Sequence, residues 1–213
     1  QSVERGSYKA VVDGSIPSTP ISQFQLVLIF IILYNLNMRL FVGCSNKRGN
    51  CSKLVEDLKE DFDQYIFLSD KNIKFCLGCN KCSEELENKC IQLDDMQEIY
   101  KMIEKADTIV FVIPIYFDNV CGLFKNFIDR LNPLYHSEML KEKDIYFITV
   151  GEESEDENKE TSKHLNYFFS KLSQVFGFNY KYLKNFSTGE SGSLSINYPD
   201  YKEIVEGLKK EIS

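Results

Sequence analysis

The sequence predicts an α/β fold in which helices cover both faces of a parallel β-sheet. Short apolar segments alternate with amphipathic helical stretches along residues 38–213, which is the pattern of consecutive βα units. Two of these segments, Thr108–Ile113 (TIVFVI) and Ile145–Val150 (IYFITV), are almost entirely apolar. Such continuous runs are typical of strands that are buried on both faces of a parallel sheet.

The first units lie directly after Met38. Arg39–Gly43 (RLFVG) and Gln64–Leu68 are predicted strands. The helix between them is expected to be capped by Asn50 or Ser52. Its apolar face is predicted from residues that recur at helical spacing, namely Leu54, Leu58 and Phe62.

The later units follow a cysteine-rich stretch. A helix is expected to begin after Asp94 and Asp95, and the strand Thr108–Ile113 is expected to end at Pro114. Two further strands, Ile145–Val150 and Tyr180–Leu183, alternate with helices near residues 120–131, 165–176 and 201–212. Five such units fit a flavodoxin-like doubly wound sheet of five parallel strands, in the order 2-1-3-4-5, with helices on both faces.

Composition narrows the class of protein. The 213 residues carry a net charge of -7 and contain seven cysteines. A nucleic-acid-binding surface would need clustered Lys and Arg, so neither the charge nor its distribution favours a nucleic-acid partner. An odd number of closely spaced cysteines favours metal binding or catalysis in a reducing cytoplasm over a secreted disulfide framework.

Residues 1–37 differ from the remainder. Gln1–Pro20 is polar, and the apolar run Leu26–Tyr34 is shorter than the roughly 20 residues that a membrane-spanning helix needs, so no membrane partner is expected. Phe41–Cys44 loosely resembles a lipoprotein cleavage site, but cleavage there would remove the first strand. We interpret 1–37 as a non-native or disordered N-terminal extension, and 38–213 as the folded domain starting at Met38.

Four cysteines within 15 residues form the pattern C-x2-C-x2-C-x7-C, in an insertion at residues 74–92 that we call the cysteine segment. They are Cys76, Cys79, Cys82 and Cys90. Thiolates at this spacing can converge on a [4Fe–4S] cluster, for which C-x2-C-x2-C is a recognised arrangement. Zinc also accepts four thiolates, and redox-active cysteines without metal are a third interpretation.

The loop Cys44–Ser52 joins the first strand to a helix. Its small polar residues, its cations Lys47 and Arg48, and the free N–H groups of a helix N-terminus favour an anion such as phosphate. Gly49 permits close approach of a ligand to the backbone. An ordinary capped turn is the alternative.

Two more loops follow apolar strands and would reach the same edge of the sheet. Pro114–Asn119 contains two aromatic residues that could form a platform for a flat ring, or else pack against a helix or a second subunit. Thr149–Glu152 contains Gly151, which either allows close ligand approach or serves a turn. No histidine has a nucleophile at a recognisable spacing, so no side chain is assigned as a catalytic acid or base.

Five ordered segments together resemble the iron–sulfur flavoprotein branch of the NADPH-dependent FMN reductase family. They are residues 43–52, 76–82, 94–96, 114–117 and 122–130. The resemblance covers Met38 to the C-terminus. It implies a flavodoxin-like fold that binds FMN, in a homodimer or homotetramer with the flavin near a subunit interface.

The resemblance also implies roles for individual residues. The FMN phosphate would lie against Cys44, Asn46, Arg48, Gly49, Asn50, Cys51 and Ser52. The isoalloxazine would contact Pro114, Ile115, Tyr116 and Phe117, with Thr149, Gly151 and Glu152 on the third side, and the four cysteines would ligate the cluster. The chain departs from the family at Cys44–Asn46, where the family commonly has S-P-R after the glycine, and at Glu152, where a second glycine is frequent.

The sequence therefore predicts a cytoplasmic FMN-dependent oxidoreductase that transfers electrons through FMN and a [4Fe–4S] cluster. Its electrons would come from a ferredoxin-like donor at the cluster or from NAD(P)H at the flavin. One alternative is an NAD(P)H-dependent FMN or quinone reductase without a cluster. An alternative of another class is a flavodoxin-like binding module stapled by zinc.

Overall fold

The computed structural model describes residues 37–84, 88–152, 155–189 and 192–213. The predicted extension at 1–37 lies outside these residues, apart from Asn37. The part of the cysteine segment at 85–87 also lies outside them. The described domain contains a β-sheet with helices on both sides.

The sheet confirms the predicted architecture. Its strands are β1 (Arg39–Gly43), β2 (Gln64–Phe67), β3 (Thr108–Tyr116), β4 (Asn119–Val120), β5 (Asp144–Gly151) and β6 (Asn179–Ser187). The order is β2-β1-β3-β5-β6, and all neighbours on this path are parallel. Counted over the parallel strands alone, this is the predicted order 2-1-3-4-5.

Helices connect the strands. They are α1 (Asn50–Leu58), α2 (Lys81–Glu84), α3 (Met96–Lys105), α4 (Gly122–Asp129), α5 (Asn132–His136), α6 (Glu155–Phe176), α7 (Leu194–Asn197) and α8 (Tyr201–Ile212). Crossover connections between parallel strands require such helices, which then cover the sheet.

Five strands were predicted, but the described residues form a sheet of six, because β4 pairs antiparallel with the end of β3. Phe117 and Asp118 join these two strands, and both adopt positive φ angles, 53° and 57°. Two consecutive left-handed residues form the kind of tight turn that suits a β-hairpin. This turn usually contains Asn-Gly or Asp-Gly, so Phe-Asp gave no sequence signal for it.

Several predicted element ends were wrong; β6, for example, extends four residues beyond its predicted end. β3 continues through Pro114 to Tyr116, because β1 ends opposite Val112 and no longer pairs with β3 at the proline. Helix α1 ends at Leu58, and Phe62 is not part of its buried face but is 79% exposed.

Strand β3 separates two apolar cores. Ile109, Phe111 and Ile113 face the core that α3, α4 and α6 cover. Val110 and Val112 face the opposite core, which α1 and α8 cover. Every residue from Thr108 to Ile115 is buried, as the continuous apolar run predicted.

Aromatic rings fill the first core. Phe147 stacks on Phe169 with ring centroids 4.0 Å apart, and on Phe111 with centroids 5.5 Å apart. Phe124 packs edge-on against both Phe147 and Phe169. These ring contacts pack helices α4 and α6 against the middle of the sheet.

Within the described ranges, no helix combines the length and apolar character needed to cross a bilayer.

We expect Phe147→Ala to lower the free energy of unfolding by about 3–5 kcal/mol, because it removes buried ring contacts and leaves a cavity. Phe62→Ala is the matched control and should change it by less than about 0.5 kcal/mol, since that ring is exposed. Urea denaturation followed by circular dichroism measures both. Equal effects of the two substitutions would contradict this description of the core.

Candidate functional site

A cavity of about 700 Å³ opens at the carboxyl edge of the sheet. The loops after β1, β3 and β5 all contribute to its lining, as predicted for a doubly wound sheet. The predicted residues that line it are Cys44, Asn46, Arg48, Gly49, Asn50, Cys51, Pro114, Ile115, Tyr116, Phe117, Gly151 and Glu152. A volume of this size can hold a ligand as large as a nucleotide.

The first loop is held in shape by its own polar groups. Asn46 Oδ1 accepts a hydrogen bond from the backbone N–H of Arg48 at 2.9 Å. Gly49, and not the predicted Asn50 or Ser52, is the N-cap of helix α1, and its φ angle of 106° is one that residues with a side chain rarely adopt. The turn therefore leads directly into a helix N-terminus, where backbone N–H groups and the helix dipole favour an anion.

The two cations of this loop differ in position. Lys47 forms an ion pair with Asp70, with Nζ and Oδ2 2.7 Å apart, and does not line the cavity. Arg48 does line it. Of this pair, Arg48 is therefore the candidate for contact with a bound anion.

Two residues that were predicted to contact the ligand do not line the cavity. Ser52 is buried, does not line the cavity, and donates a hydrogen bond from Oγ to the carbonyl oxygen of Gly49 at 2.9 Å. Thr149 is fully buried within β5 and also lies outside the lining. Its Oγ1 donates to Asn185 Oδ1 at 2.7 Å and also forms a hydrogen bond with the hydroxyl of Tyr182, so its described contacts join β5 to β6.

Three cysteines form part of the cavity wall. Cys44, Cys51 and Cys121 are buried, and Cys121 Sγ donates a hydrogen bond to the carbonyl oxygen of Cys44 at 3.1 Å. Burial, together with the neighbouring Cys121, raises the pKa of Cys51 to about 12. Burial also raises the pKa of Cys44 well above its ordinary value. These thiols stay protonated at neutral pH and provide an apolar wall rather than nucleophiles.

The second loop presents its aromatic rings to solvent. Tyr116 is 60% exposed and Phe117 is fully exposed at the tip of the β3–β4 hairpin. Within the part of the chain that the structure describes, Phe117 thus packs against no helix, which was one of the predicted alternatives. Ile115, in contrast, is buried and lines the cavity beside Gly151.

Gly151 lies next to Ile115 at the floor of the cavity. A Cβ atom at position 151 would lie 3.4 Å from Cβ of Ile115, at the limit of ordinary van der Waals contact. The ends of β5 and β3 are therefore closely packed here. Glu152 follows Gly151, exposed, at the rim.

The segment after β6 also reaches the site, which the sequence did not predict. Thr188 and Gly192 line the cavity. Asn50 connects this segment to the first loop: its Nδ2 donates to the carbonyl oxygen of Gly192 at 3.0 Å, and its Oδ1 accepts from the backbone N–H of Leu194 at 3.3 Å. The other lining residues outside the predicted loops are Ser69, Cys121, Gly122 and Leu123.

The cysteine segment lines a second cavity of about 410 Å³, to which all four of its cysteines contribute. Asn132 Nδ2 donates a hydrogen bond to Cys82 Sγ at 3.0 Å, and Arg130 Nη2 donates to Cys90 Sγ at 3.5 Å. Among the described residues, no three His, Cys, Asp or Glu side chains are grouped closely enough to hold a single metal ion.

A buried ion pair lies beside this second cavity. Arg130 donates hydrogen bonds to both carboxylate oxygens of Asp94, at 2.6 and 3.0 Å, and the two side chains are at most 1% exposed. Burial by itself would raise the pKa of Asp94, but hydrogen bonds from Arg130 and from backbone N–H groups outweigh it and keep that pKa below its usual value. Asp94 is therefore ionised at neutral pH.

Comparison with known proteins gives a family match. Residues 37–176 match the family described as NADPH-dependent FMN reductase. This range contains the first cavity's loops after β1, β3 and β5 and the whole cysteine segment.

Relatives of this chain are named iron–sulfur flavoproteins. One from Clostridioides difficile is 30% identical over 184 residues, covering 80% of this chain and 73% of that protein. One from Methanocaldococcus jannaschii is 32% identical and covers 60% of this chain and 68% of that protein. One from Archaeoglobus fulgidus is 33% identical, and the match spans about half of each protein, 48%.

Solved structures share the fold at low sequence identity. A general stress protein 14 from Treponema denticola, in complex with FMN, superimposes with a TM-score of 0.59 at 13% identity, covering 83% of this chain and 99% of that one. The Trp repressor binding protein from Bacillus subtilis gives 0.56 at 18% identity, covering 80% and 96%. These similarities confirm the predicted flavodoxin-like fold.

We expect iodoacetamide at pH 8 to label Cys76 and Cys79 in the native, metal-free protein and to leave Cys51 unmodified. Cys76 and Cys79 are exposed, whereas Cys51 is buried and its raised pKa keeps the thiol protonated. Peptide mass spectrometry measures the labelling, and denatured protein, in which all seven cysteines react, is the control. Labelling of Cys51 at the rate of Cys79 would contradict the geometry described.

Proposed function

Because the chain belongs to the NADPH-dependent FMN reductase family, whose members are FMN-dependent oxidoreductases, we propose that it binds FMN in the 700 Å³ cavity and catalyses electron transfer. The observation that carries the proposal is the convergence of three predicted loops on one cavity at the carboxyl edge of the sheet. When bound, the flavin supplies one- and two-electron redox chemistry, and the protein orients it and adjusts its electronics.

The loop at 44–52 fits the phosphate of FMN. It contains a helix N-terminus, Gly49, which has no side chain to obstruct a ligand, and the cation Arg48. The side chains of Asn46 and Asn50 form hydrogen bonds that hold the loop and its neighbouring segment in place. We infer that backbone N–H groups and Arg48, rather than Lys47, neutralise the phosphate.

The opposite side of the cavity fits the flavin ring. Pro114–Phe117 would support the ring, and Gly151 lines the same cavity without a side chain that could obstruct it. Glu152 would place a carboxylate near the ring, which disfavours a negatively charged reduced flavin and lowers its reduction potential.

We propose further that the four cysteines hold a [4Fe–4S] cluster. They line one cavity, and two of their sulfur atoms accept hydrogen bonds from Asn132 and Arg130, as cluster thiolates do. Each thiolate of such a cluster binds a different iron, so the sulfurs need not converge on one point.

The proposed physiological setting is a reducing cytoplasm, with the protein as a homodimer or homotetramer. Electrons would enter from a ferredoxin-like donor at the cluster or from NAD(P)H at the flavin. An FMN or quinone reductase without a cluster is the alternative, and iron content of anaerobically purified protein distinguishes the two.

We expect the protein to bind FMN at least tenfold more tightly than riboflavin, because only FMN carries the phosphate. Arg48→Ala should weaken FMN binding by about 1 kcal/mol, roughly fivefold, and leave riboflavin binding unchanged. Lys47→Ala is the matched control, since it removes an adjacent cation that does not line the cavity. Quenching of flavin fluorescence measures each affinity.

Equal affinity for FMN and riboflavin in the unmodified protein would contradict the placement of the phosphate. An equal loss in the Lys47 and Arg48 variants would contradict only the role given to Arg48.

Cys79→Ser should abolish iron binding and leave FMN affinity unchanged, because its sulfur lines the second cavity and not the first. Cys121→Ser, outside the cysteine segment, is the control and should retain iron. Iron is measured by colorimetric assay after anaerobic purification. Full iron content in the Cys79 variant would count against the cluster, while FMN binding would remain a separate result.

A further inference from the structure

We propose that Arg130 is a positioning residue for the cysteine site: it fixes both ends of the cysteine segment and favours the reduced state of a cluster bound there. This inference rests on the proposed function, because it presupposes the cluster. Arg130 lies between helices α4 and α5, and its side chain is 1% exposed.

One guanidinium joins the two ends of the segment. Nη1 of Arg130 donates to the carbonyl oxygen of Lys74 at 2.7 Å and to Asp94 Oδ2 at 2.6 Å. Nη2 donates to Asp94 Oδ1 at 3.0 Å and to Cys90 Sγ at 3.5 Å. Lys74 precedes the first cysteine of the set and Asp94 follows the last, so these bonds close the segment into a loop against the helices.

The carboxylate in this pair is itself fixed. Asp94 accepts hydrogen bonds from the backbone N–H groups of Lys74, at 2.9 Å, and Met96, at 3.1 Å. With both of its oxygens occupied, it holds the planar guanidinium in a single orientation. Arg130 therefore directs its Nη2–H group at Cys90 Sγ in a fixed orientation.

Two amides on either side of Arg130 reinforce the attachment. Asn126 Nδ2 donates to the carbonyl oxygen of Ile73 at 3.0 Å, and Asn132 Nδ2 donates to Cys82 Sγ at 3.0 Å. The corner formed by α4 and α5 thus contacts the segment at its start, at Cys82, at Cys90 and at its end.

Arg130 also borders the second cavity. It lines this 410 Å³ cavity together with the four cysteines. The guanidinium is thus held at the cavity wall, where its described contact with sulfur is the hydrogen bond from Nη2 to Cys90 Sγ.

The electrostatic consequence concerns the reduction potential. A [4Fe–4S]²⁺ cluster with four thiolates carries a net charge of about -2, and one electron from an external reductant takes it to about -3. Asp94 balances the net charge of Arg130, so the effect comes from the N–H groups directed at sulfur. Such hydrogen bonds stabilise the more negative state and raise the potential.

The test compares Arg130→Lys with Arg39→Lys. Arg39 also pairs with a carboxylate through two hydrogen bonds, to Asp63 at 2.8 and 2.9 Å, but its described bonds involve no cysteine. Each purified, cluster-loaded protein is titrated anaerobically with dithionite and followed by electron paramagnetic resonance. In Arg130→Lys the reduced state should be about tenfold less favoured, which corresponds to a midpoint potential lower by about 59 mV. Arg39→Lys should have the midpoint potential of the unmodified protein.

A second variant covers the case in which Arg130→Lys fails to fold. Replacing the whole pair, as Arg130→Met with Asp94→Leu, leaves no unpaired buried charge and should give the same shift. Thermal unfolding confirms that each variant is folded.

Loaded, folded variants with the unmodified potential would overturn the inference. So would folded variants that cannot be loaded where Arg39→Lys can, since Arg130 would then be purely structural. Iron in the unmodified protein is measured first: its absence refutes the proposed cluster, whereas its presence with unchanged variant potentials refutes only the role of Arg130.

Discussion

Strand β3 is buried on both faces, and this burial determines how the helices and the other strands are arranged around it. Its side chains alternate between two apolar cores, so helices must cover the sheet on both sides. Helical crossovers in turn make the neighbouring strands parallel. The ends of β1, β3 and β5 then meet at one edge, and the main cavity follows from this topology.

Sequence patterns predicted the features that arise from local chemistry. Apolar runs located the strands, and their ends located three of the loops that line the cavity. The tight turn at Phe117–Asp118 was missed because its left-handed residues are not the usual glycine or asparagine. The contribution of Thr188 and Gly192 was missed because β6 has weak periodicity and its end could not be placed.

Long-range polar contacts were beyond sequence reasoning for a different reason. The spacing of the four cysteines predicted a ligand set, but nothing near Arg130 in the chain indicated its carboxylate partner, 36 residues away. The same holds for the hydrogen bond between Thr149 and Asn185, which lie opposite each other on neighbouring strands. The register of the sheet and the packing of helices decide such contacts, and only the folded structure reveals them.

In our proposal, FMN binds at the carboxyl edge of the sheet, with its phosphate at the turn after β1. Hydrogen exchange of backbone amides, measured by mass spectrometry with and without FMN, provides a direct test. Bound FMN should slow exchange in residues 44–52 and in the segments that end β3 and β5, with little change in α8. Exchange that FMN leaves unchanged in the 44–52 turn would contradict it.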